Sequence, residues 1–169
     1  MSSMLTATGN DSAASSPRVA SKQERLAMLE VVARHDNAKH SQDYDALIAT
    51  FHPDAICEFK PVGLGITSFN TIAEMYRRTL PKLSSSFLTR RKLREWSNQN
   101  GLLREWVYPV KLPSGEEKPT RQLEIFEFAD GLKSIRTYRV RMNAIYSDLF
   151  VEALGKDYWS LAGVKRVPG

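Results

Sequence analysis

The sequence predicts an α+β domain in which a curved, mostly antiparallel sheet wraps around helices that come first in the chain. Two observations carry this. Helical periodicity dominates residues 21–52 and returns over 71–83, with a single short strand between. Four strand-like segments then follow one another, separated by turn signals. Strands that run together, with helices segregated at the front, mark α+β rather than the alternating order of parallel sheets. The chain has 169 residues, 42% of them hydrophobic, which suits one domain with a real core.

Residues 1–20 form a tail expected to be disordered, because Gly, Ser, Thr, Asn and Asp bury too little to order themselves. The domain is expected over 21–154. Ser21 is a helix N-cap, and Glu24 three residues on completes a capping box. The helix "SKQERLAMLEVVARHDNAKHS" places Leu26, Leu29, Val32 (with Ala33) and Asp36 on one stripe. A second helix, "QDYDALIATFHP", carries Tyr44, Leu47 and Ile48 and ends at His52-Pro53, since a residue before proline avoids the helical region. "DAICEFKP" is a strand and "VGLGITSFN" a loop. "TIAEMYRRTLPKL" is a third helix with Ile72, Met75, Tyr76 and Leu80 on one side, closing at Pro81. "SSSFLTRRKLREWSN" and "GLLREWVYPVKLP" are strands around the turn "NQNG". After the polar loop "SGEEKP", "TRQLEIFEF" and "KSIRTYRVRMN" are joined by "ADGL", a tight Asp-Gly hairpin. A terminal helix has Gly155 at its C-cap, and 155–169 reads as a C-terminal tail.

Several function classes drop out. The one cysteine, Cys57, forms no disulfide within the chain and reads as a core residue. No apolar run reaches the ~20 residues of a membrane span. The first residues lack the charged start and apolar core of a secretory signal. The expectation is a cytoplasmic protein with no membrane partner. A net charge of +5 invites a nucleic-acid reading. Yet the densest basic run, "LTRRKLREW", belongs to no recognition motif, and charge without a motif supports only non-specific attraction. His35, His40 and His52 lack the spacing of a zinc motif. "GLG" at Gly63–Gly65 leads into "ITSFN" rather than a phosphate-loop Lys-Ser/Thr. No metal and no cofactor is expected.

The segment "QDYDALIATFHPDAICEF" and the hairpin "FEFADGLKSIRTY" resemble the SnoaL-like proteins of the nuclear-transport-factor-2-like superfamily. "EFKPVGLGITSFNTIAEMYRR" is similar to a subgroup from fungal natural-product pathways. The resemblance covers roughly Ser21 to Leu154 and implies a cone-shaped sheet around the N-terminal helices, with a pocket at its open end. The scaffold hosts cyclases, isomerases, dehydratases, epoxide hydrolases and non-catalytic binders. The chain departs from the subgroup after the last strand, where "TYRVRMNAIYSD" replaces the usual acidic residue and Asp-Ser pair.

The candidate site residues follow from alternation and from this resemblance. In "AICEFK", Ala55, Cys57 and Phe59 point one way, and Ile56, Glu58 and Lys60 the other. Glu58 is either on a solvated face beside Lys60 or in the pocket, where the resemblance places an acid and where desolvation raises a carboxylate's pKa into the range of a proton shuttle. His35, on the first helix, is its natural partner, and Lys39 lies one turn further along the same face. On "TRQLEIFEF", Gln122, Glu124, Phe126 and Phe128 form one set, with the mixture of a pocket wall. Arg121, Leu123, Ile125 and Glu127 form the other. Glu124 is the second carboxylate and Glu127 the competing choice; a cross-strand ion pair with Arg136 or Arg139 is the structural alternative. Arg136 and Tyr138, placed on one side by alternation, suit orienting a substrate oxygen. Tyr108 is a further candidate.

The expected function is therefore cofactor-independent isomerisation or cyclisation of a hydrophobic polyketide, terpenoid or alkaloid intermediate by general acid/base catalysis. Glu58, His35 and Glu124 are the expected catalytic groups. Lys39, Gln122, Phe126, Arg136 and Tyr138 are the expected substrate contacts. Dehydration and epoxide opening use similar parts, and a non-catalytic dimeric ligand binder is the rival from another class. The exposed sheet face is expected to form a homodimer.

Overall fold

The computed structural model describes residues 18–112, 114–129 and 131–168, with the side chains of 84–88 outside that description. Helix α1 (Lys22–Ser41) starts at the expected capping box: Ser21 Oγ accepts from Glu24 N at 3.2 Å, and Ser21 N donates to Glu24 Oε2 at 2.8 Å. Its buried stripe is Met28, Val31, Val32, His35, Ala38 and Lys39, whereas Leu26 is 55% exposed. The expected stripe through Leu26 and Asp36 is thus rotated. The helix turns two polar residues, His35 and Lys39, into the core in place of a leucine.

Helix α2 (Tyr44–Ile48) is capped by Asp43 and ends before the expected His52-Pro53 boundary. Those two residues lie instead in β1 (Phe51–Lys60), so His52 is a strand residue and not a turn residue. β1 bulges over residues 52–55, which is how it accommodates a proline. The loop expected after it contains a three-residue strand, β2 (Leu64–Ile66). Helix α3 (Phe69–Leu88) runs through Pro81 rather than closing there. Ile72, Met75, Tyr76, Leu80 and Leu83 are all buried along it, and that packing outweighs the ~3 kcal/mol that an internal proline costs. The third helix consequently takes residues 84–88 from the strand expected to follow.

The remaining strands are β3 (Arg91–Asn98), β4 (Gly101–Lys111), β5 (Glu117–Ala129) and β6 (Ser134–Met142). Asp130 of the expected Asp-Gly turn lies outside the described residues. Gly131 and Leu132 beside it both have left-handed φ, 65° and 71°. Helix α4 (Ala144–Leu154) ends at Gly155, as expected. The segment read as a C-terminal tail then forms a 3-10 turn (Lys156–Ser160) and β7 (Val164–Arg166).

The sheet order is β3-β4-β5-β6-β1-β2-β7, antiparallel except for the β1/β6 pair. It curves over α1 and α3 without closing, with the core on its inner side. Arg18–Ala20, the described end of the expected tail, meets the β3 edge through a Val19/Asn98 bridge. No helix among the described residues is long and apolar enough to cross a membrane.

The C-terminal segment is tied to the start of α3. Gly163 O accepts from Thr67 N at 2.9 Å, and Thr71 Oγ1 donates to Ala162 O at 2.6 Å. Gly163 has φ 78°, and a Cβ there would sit 2.6 Å from Ser68 Cβ and 2.8 Å from Ser68 N. Gly163→Ala is therefore expected to destabilise the fold by ~1–3 kcal/mol, read as a lower urea midpoint at unchanged slope.

Candidate functional site

The inner face of the sheet carries an unusual density of charge. Glu124 is 0% exposed. Its Oε1 accepts from Tyr138 OH at 2.7 Å, Gln122 Nε2 at 3.3 Å and Lys39 Nζ at 3.4 Å. Its Oε2 accepts from Trp106 Nε1 at 2.7 Å, and Arg90 Nη1 lies 3.8 Å away. Burial pushes the Glu124 carboxyl's pKa up, but Lys39 and Arg90 outweigh burial and hold it below the usual range. A carboxylate so placed stays ionised in the resting site.

Glu124 belongs to a larger ion network. Asp36 on α1 pairs with Arg90 at 2.8 Å and Arg104 at 2.9 Å, and lies 4.0 Å from Lys39. Arg104 reaches on to Glu95 at 3.0 Å. Arg90 stacks over the Trp106 ring at 4.1 Å. The basic run from Arg90 to Arg94 is thus split: Arg90 points inward, and the Arg94 side chain is 70% exposed.

Lys39, Gln122 and Tyr138, the three donors to Glu124 Oε1, line one wall of an internal chamber. The other walls include Phe59, Met75, Tyr76, Leu80, Leu83 and Phe150. The chamber measures about 30 Å³, room for a single water. His35, Glu124 and Phe126 stand behind this lining rather than in it. Phe126 stacks on the Tyr138 ring at 4.9 Å. Burial, then Glu124, pushes the Tyr138 hydroxyl well above its ordinary pKa, so it keeps its proton.

Hydrogen-bond direction fixes the state of His35. Thr50 Oγ1 donates its one proton to Leu47 O at 2.6 Å, so at 3.0 Å from His35 Nδ1 it acts as acceptor and the ring proton sits on Nδ1. Nε2 is then a bare acceptor, 3.5 Å from Tyr76 OH. Burial, then Lys39, drives the His35 pKa well below its ordinary value of 6.5, so the ring is neutral. Tyr76, whose hydroxyl donates to that Nε2, is itself part of the chamber lining.

Two sequence expectations are corrected here. Glu58 does not reach the chamber. Cys57 and Phe59 take the inner face of β1, which leaves Glu58 on the outer face. There Arg139 Nε bonds it at 3.0 Å, and the same guanidinium holds Glu127 at 2.6 Å. Glu127, the competing carboxylate, is on that outer face as well. Arg136 and Tyr138 do not share a side. A bulge opposite Glu127/Phe128 inserts Arg136 into β6 and resets the alternation, so Tyr138 faces inward and Arg136 is exposed. The structure thus brings together Lys39, Gln122, Glu124, Tyr138, Phe126 and His35, and separates Glu58 and Arg136 from them.

Asp36, Tyr76, Arg90, Arg104 and Trp106 are additional members that sequence reasoning passed over. A signal existed: "LREW" occurs twice, at residues 93–96 and 103–106. Among the described residues, no group of three or more His, Cys, Asp or Glu is arranged to hold a metal ion.

This architecture is the nuclear-transport-factor-2-like fold, also called cystatin-like. It is shared with an NTF2-like protein of unknown function from Cytophaga hutchinsonii ATCC 33406 (TM-score 0.55, 12% identity, 72% of this chain and 98% of that one). A candidate polyketide cyclase from Xanthomonas campestris pv. campestris matches at TM-score 0.55 and 17% identity, over 76% of this chain and 99% of that one. An LEH-like epoxide hydrolase from M. tuberculosis matches at TM-score 0.53 and 17% identity, over 76% and 92%. No protein-family model and no curated protein matches the chain by sequence.

Proposed function

We propose that the chain is an acid/base enzyme that isomerises or cyclises a small hydrophobic natural-product intermediate without a cofactor. The observation that carries this is the convergence of Lys39, Gln122 and Tyr138, all in the lining of a buried chamber, on one oxygen of a fully buried carboxylate behind it. Buried charge of this kind costs stability and concentrates at sites that use it.

Lys39 and Gln122 meet Glu124 at 3.4 and 3.3 Å, longer than the Tyr138 bond, and turn to a substrate oxygen when one enters. Charge developing on that oxygen is met by the Lys39 ammonium in a water-excluded site. As Lys39 turns away, one of the charges that hold the Glu124 pKa down is withdrawn and burial pushes it up, so that Tyr138 takes a proton from the adjacent carbon while passing its own to Glu124 Oε1. Reversal of the relay at another carbon leaves an isomer and restores both groups. The same parts, with water or a leaving hydroxyl, open an epoxide or dehydrate. The names of the cyclase and hydrolase neighbours support a reaction of this class.

One observation favours a second reading, a non-catalytic ligand-binding member of the fold. The chamber holds only about 30 Å³, and Glu58 faces outward. Turnover of a natural-product intermediate requires Leu80, Leu83 and Phe150 to yield.

The test is to incubate purified protein with pools of polyketide, terpenoid and alkaloid intermediates and to follow products by mass spectrometry. Conversion to a species of equal mass is expected, lost by ~10²-fold or more in Tyr138→Phe and Lys39→Met and retained in Glu58→Gln. A ligand that co-purifies and is returned unchanged would establish the binder instead.

A further inference from the structure

We propose that the chamber is entered from a cleft between α3, α4 and the end of β4, with Leu83 as the gate between the two spaces. The substrate is then an elongated apolar molecule, its reacting end in the chamber and its remainder in the cleft. The statement about substrate rests on the acid/base reading above; the statement about access does not. The chamber, of about 30 Å³, takes only a small group even when a side chain yields. The cleft outside it measures about 420 Å³, and Leu83, Leu112, Leu149 and Ala153 give it an apolar floor. Among the described residues Leu83 alone lines both spaces. The groove beside Trp96 and the hollows flanking α2 share no lining residue with the chamber.

The helix is weakest where this gate falls. Pro81 has no N–H to offer the Arg77 carbonyl, so α3 lacks a backbone bond in the turn that carries Leu83. Leu80 and Leu83, three residues apart, are neighbours on one stripe of the helix. Leu80 belongs to the chamber alone, whereas Leu83 stands between chamber and cleft. Leucine side chains move between staggered rotamers even in packed cores. Rotation of Leu83 toward the cleft joins it to the chamber that Lys39, Gln122 and Tyr138 line, without movement of the sheet. The rim of the cleft is polar: Lys82, whose Nζ donates to Ala153 O at 3.1 Å, stands there with Lys111 and Glu152. The far end of the substrate therefore remains hydrated while its middle lies on the leucines.

Access is tested with cysteine probes in the full chain and N-ethylmaleimide as the reagent. The one native cysteine, Cys57, is 0% exposed and burial pushes its thiol's pKa up, so the parent protein sets a low baseline. Leu83→Cys should react about tenfold or more faster than Leu80→Cys and Phe150→Cys, which lie in the chamber alone. Circular dichroism screens each variant for fold, and the two chamber positions duplicate each other should one fail. Equal rates at all three positions, or a Leu83→Cys rate no higher than the parent's, overturn the gate. Labelling that slows as protein concentration rises gives the cleft to a second copy and overturns it too. The substrate statement is tested on whichever intermediate the protein converts. Leu112→Glu/Leu149→Glu should raise KM about tenfold at unchanged kcat, the sign of binding lost away from the reacting atoms. An unchanged KM in that variant overturns the elongated substrate while the acid/base reading stands. Absence of conversion by the parent protein overturns the acid/base reading and with it the substrate statement, and leaves the labelling result to decide the gate.

Discussion

Lys39→Met is expected to destabilise the protein by ~3–5 kcal/mol, the range seen when one partner of a buried ion pair is removed. The substitution nearly conserves volume, so the loss comes from leaving Glu124, 0% exposed, with less positive charge around it. Arg90 at 3.8 Å compensates only in part. Glu124→Leu should cost a similar amount, because it strands Lys39 and removes the acceptor for Tyr138 and Trp106. Combining the two should cost less than the sum of the single changes by about 2 kcal/mol, since each single variant already breaks the pair. Urea titrations with a common slope measure all three. Strict additivity would show that Lys39 and Glu124 do not act as a pair.

Lowering the pH from 7.5 to 5.5 is expected to weaken the fold, and His35 is the cause. Its folded-state pKa lies well below the ordinary 6.5 because burial, and then Lys39, oppose the charged ring. The unfolded chain therefore binds a proton first as the pH falls below about 6.5, and the folded chain does not. Stability is fully present above that value and falls by up to ~1.4 kcal/mol per pH unit below it. Asp36, Glu124 and Glu95 also have lowered values, from ordinary ones of 3.8, 4.5 and 4.5, so their contribution is lost only further into acid. His35→Gln should flatten the profile between pH 6.5 and 5.5 while leaving the steeper acid limb. Melting temperatures across that window decide it, and an unchanged slope in the variant would assign the effect elsewhere.

Much of the frame was legible in the chain. The capping box at Ser21 and Glu24, the glycine that ends α4 and the four successive antiparallel strands each announce themselves through local chemistry. So does β5, whose strict alternation turns Gln122, Glu124, Phe126 and Phe128 inward and buries all four. What escaped depends on partners distant in sequence. A bulge moved Arg136 off Tyr138's side, and no local feature of "SIRTYRV" marks where a strand will gain a residue. The stripe of α1 was misplaced because an exposed leucine looks apolar, while His35 and Lys39 are buried by partners on β1, β5 and α3. The two "LREW" copies make the same point. Antiparallel pairing sets Glu95 opposite Arg104 and Arg94 opposite Glu105. Two tetrapeptides ten residues apart in the chain therefore present opposite faces. The first sends its glutamate inward; the second sends its arginine and tryptophan inward to the ion network. Composition is identical, and only the register tells them apart.

The short last strand bears on how the protein behaves when crowded. β7 covers β2, whose Leu64, Gly65 and Ile66 are all buried, and it does so with only three residues, two of them basic. At the opposite margin β3 presents Arg91, Lys92 and Arg94. A sheet with one edge only three residues long and the other studded with cations is a poor template for another chain to extend, which is how open sheets resist aggregation. Loss of the last few residues would expose a bare apolar strand edge. Cleavage ahead of β7 would then leave β2 as an open edge on which another chain could pair.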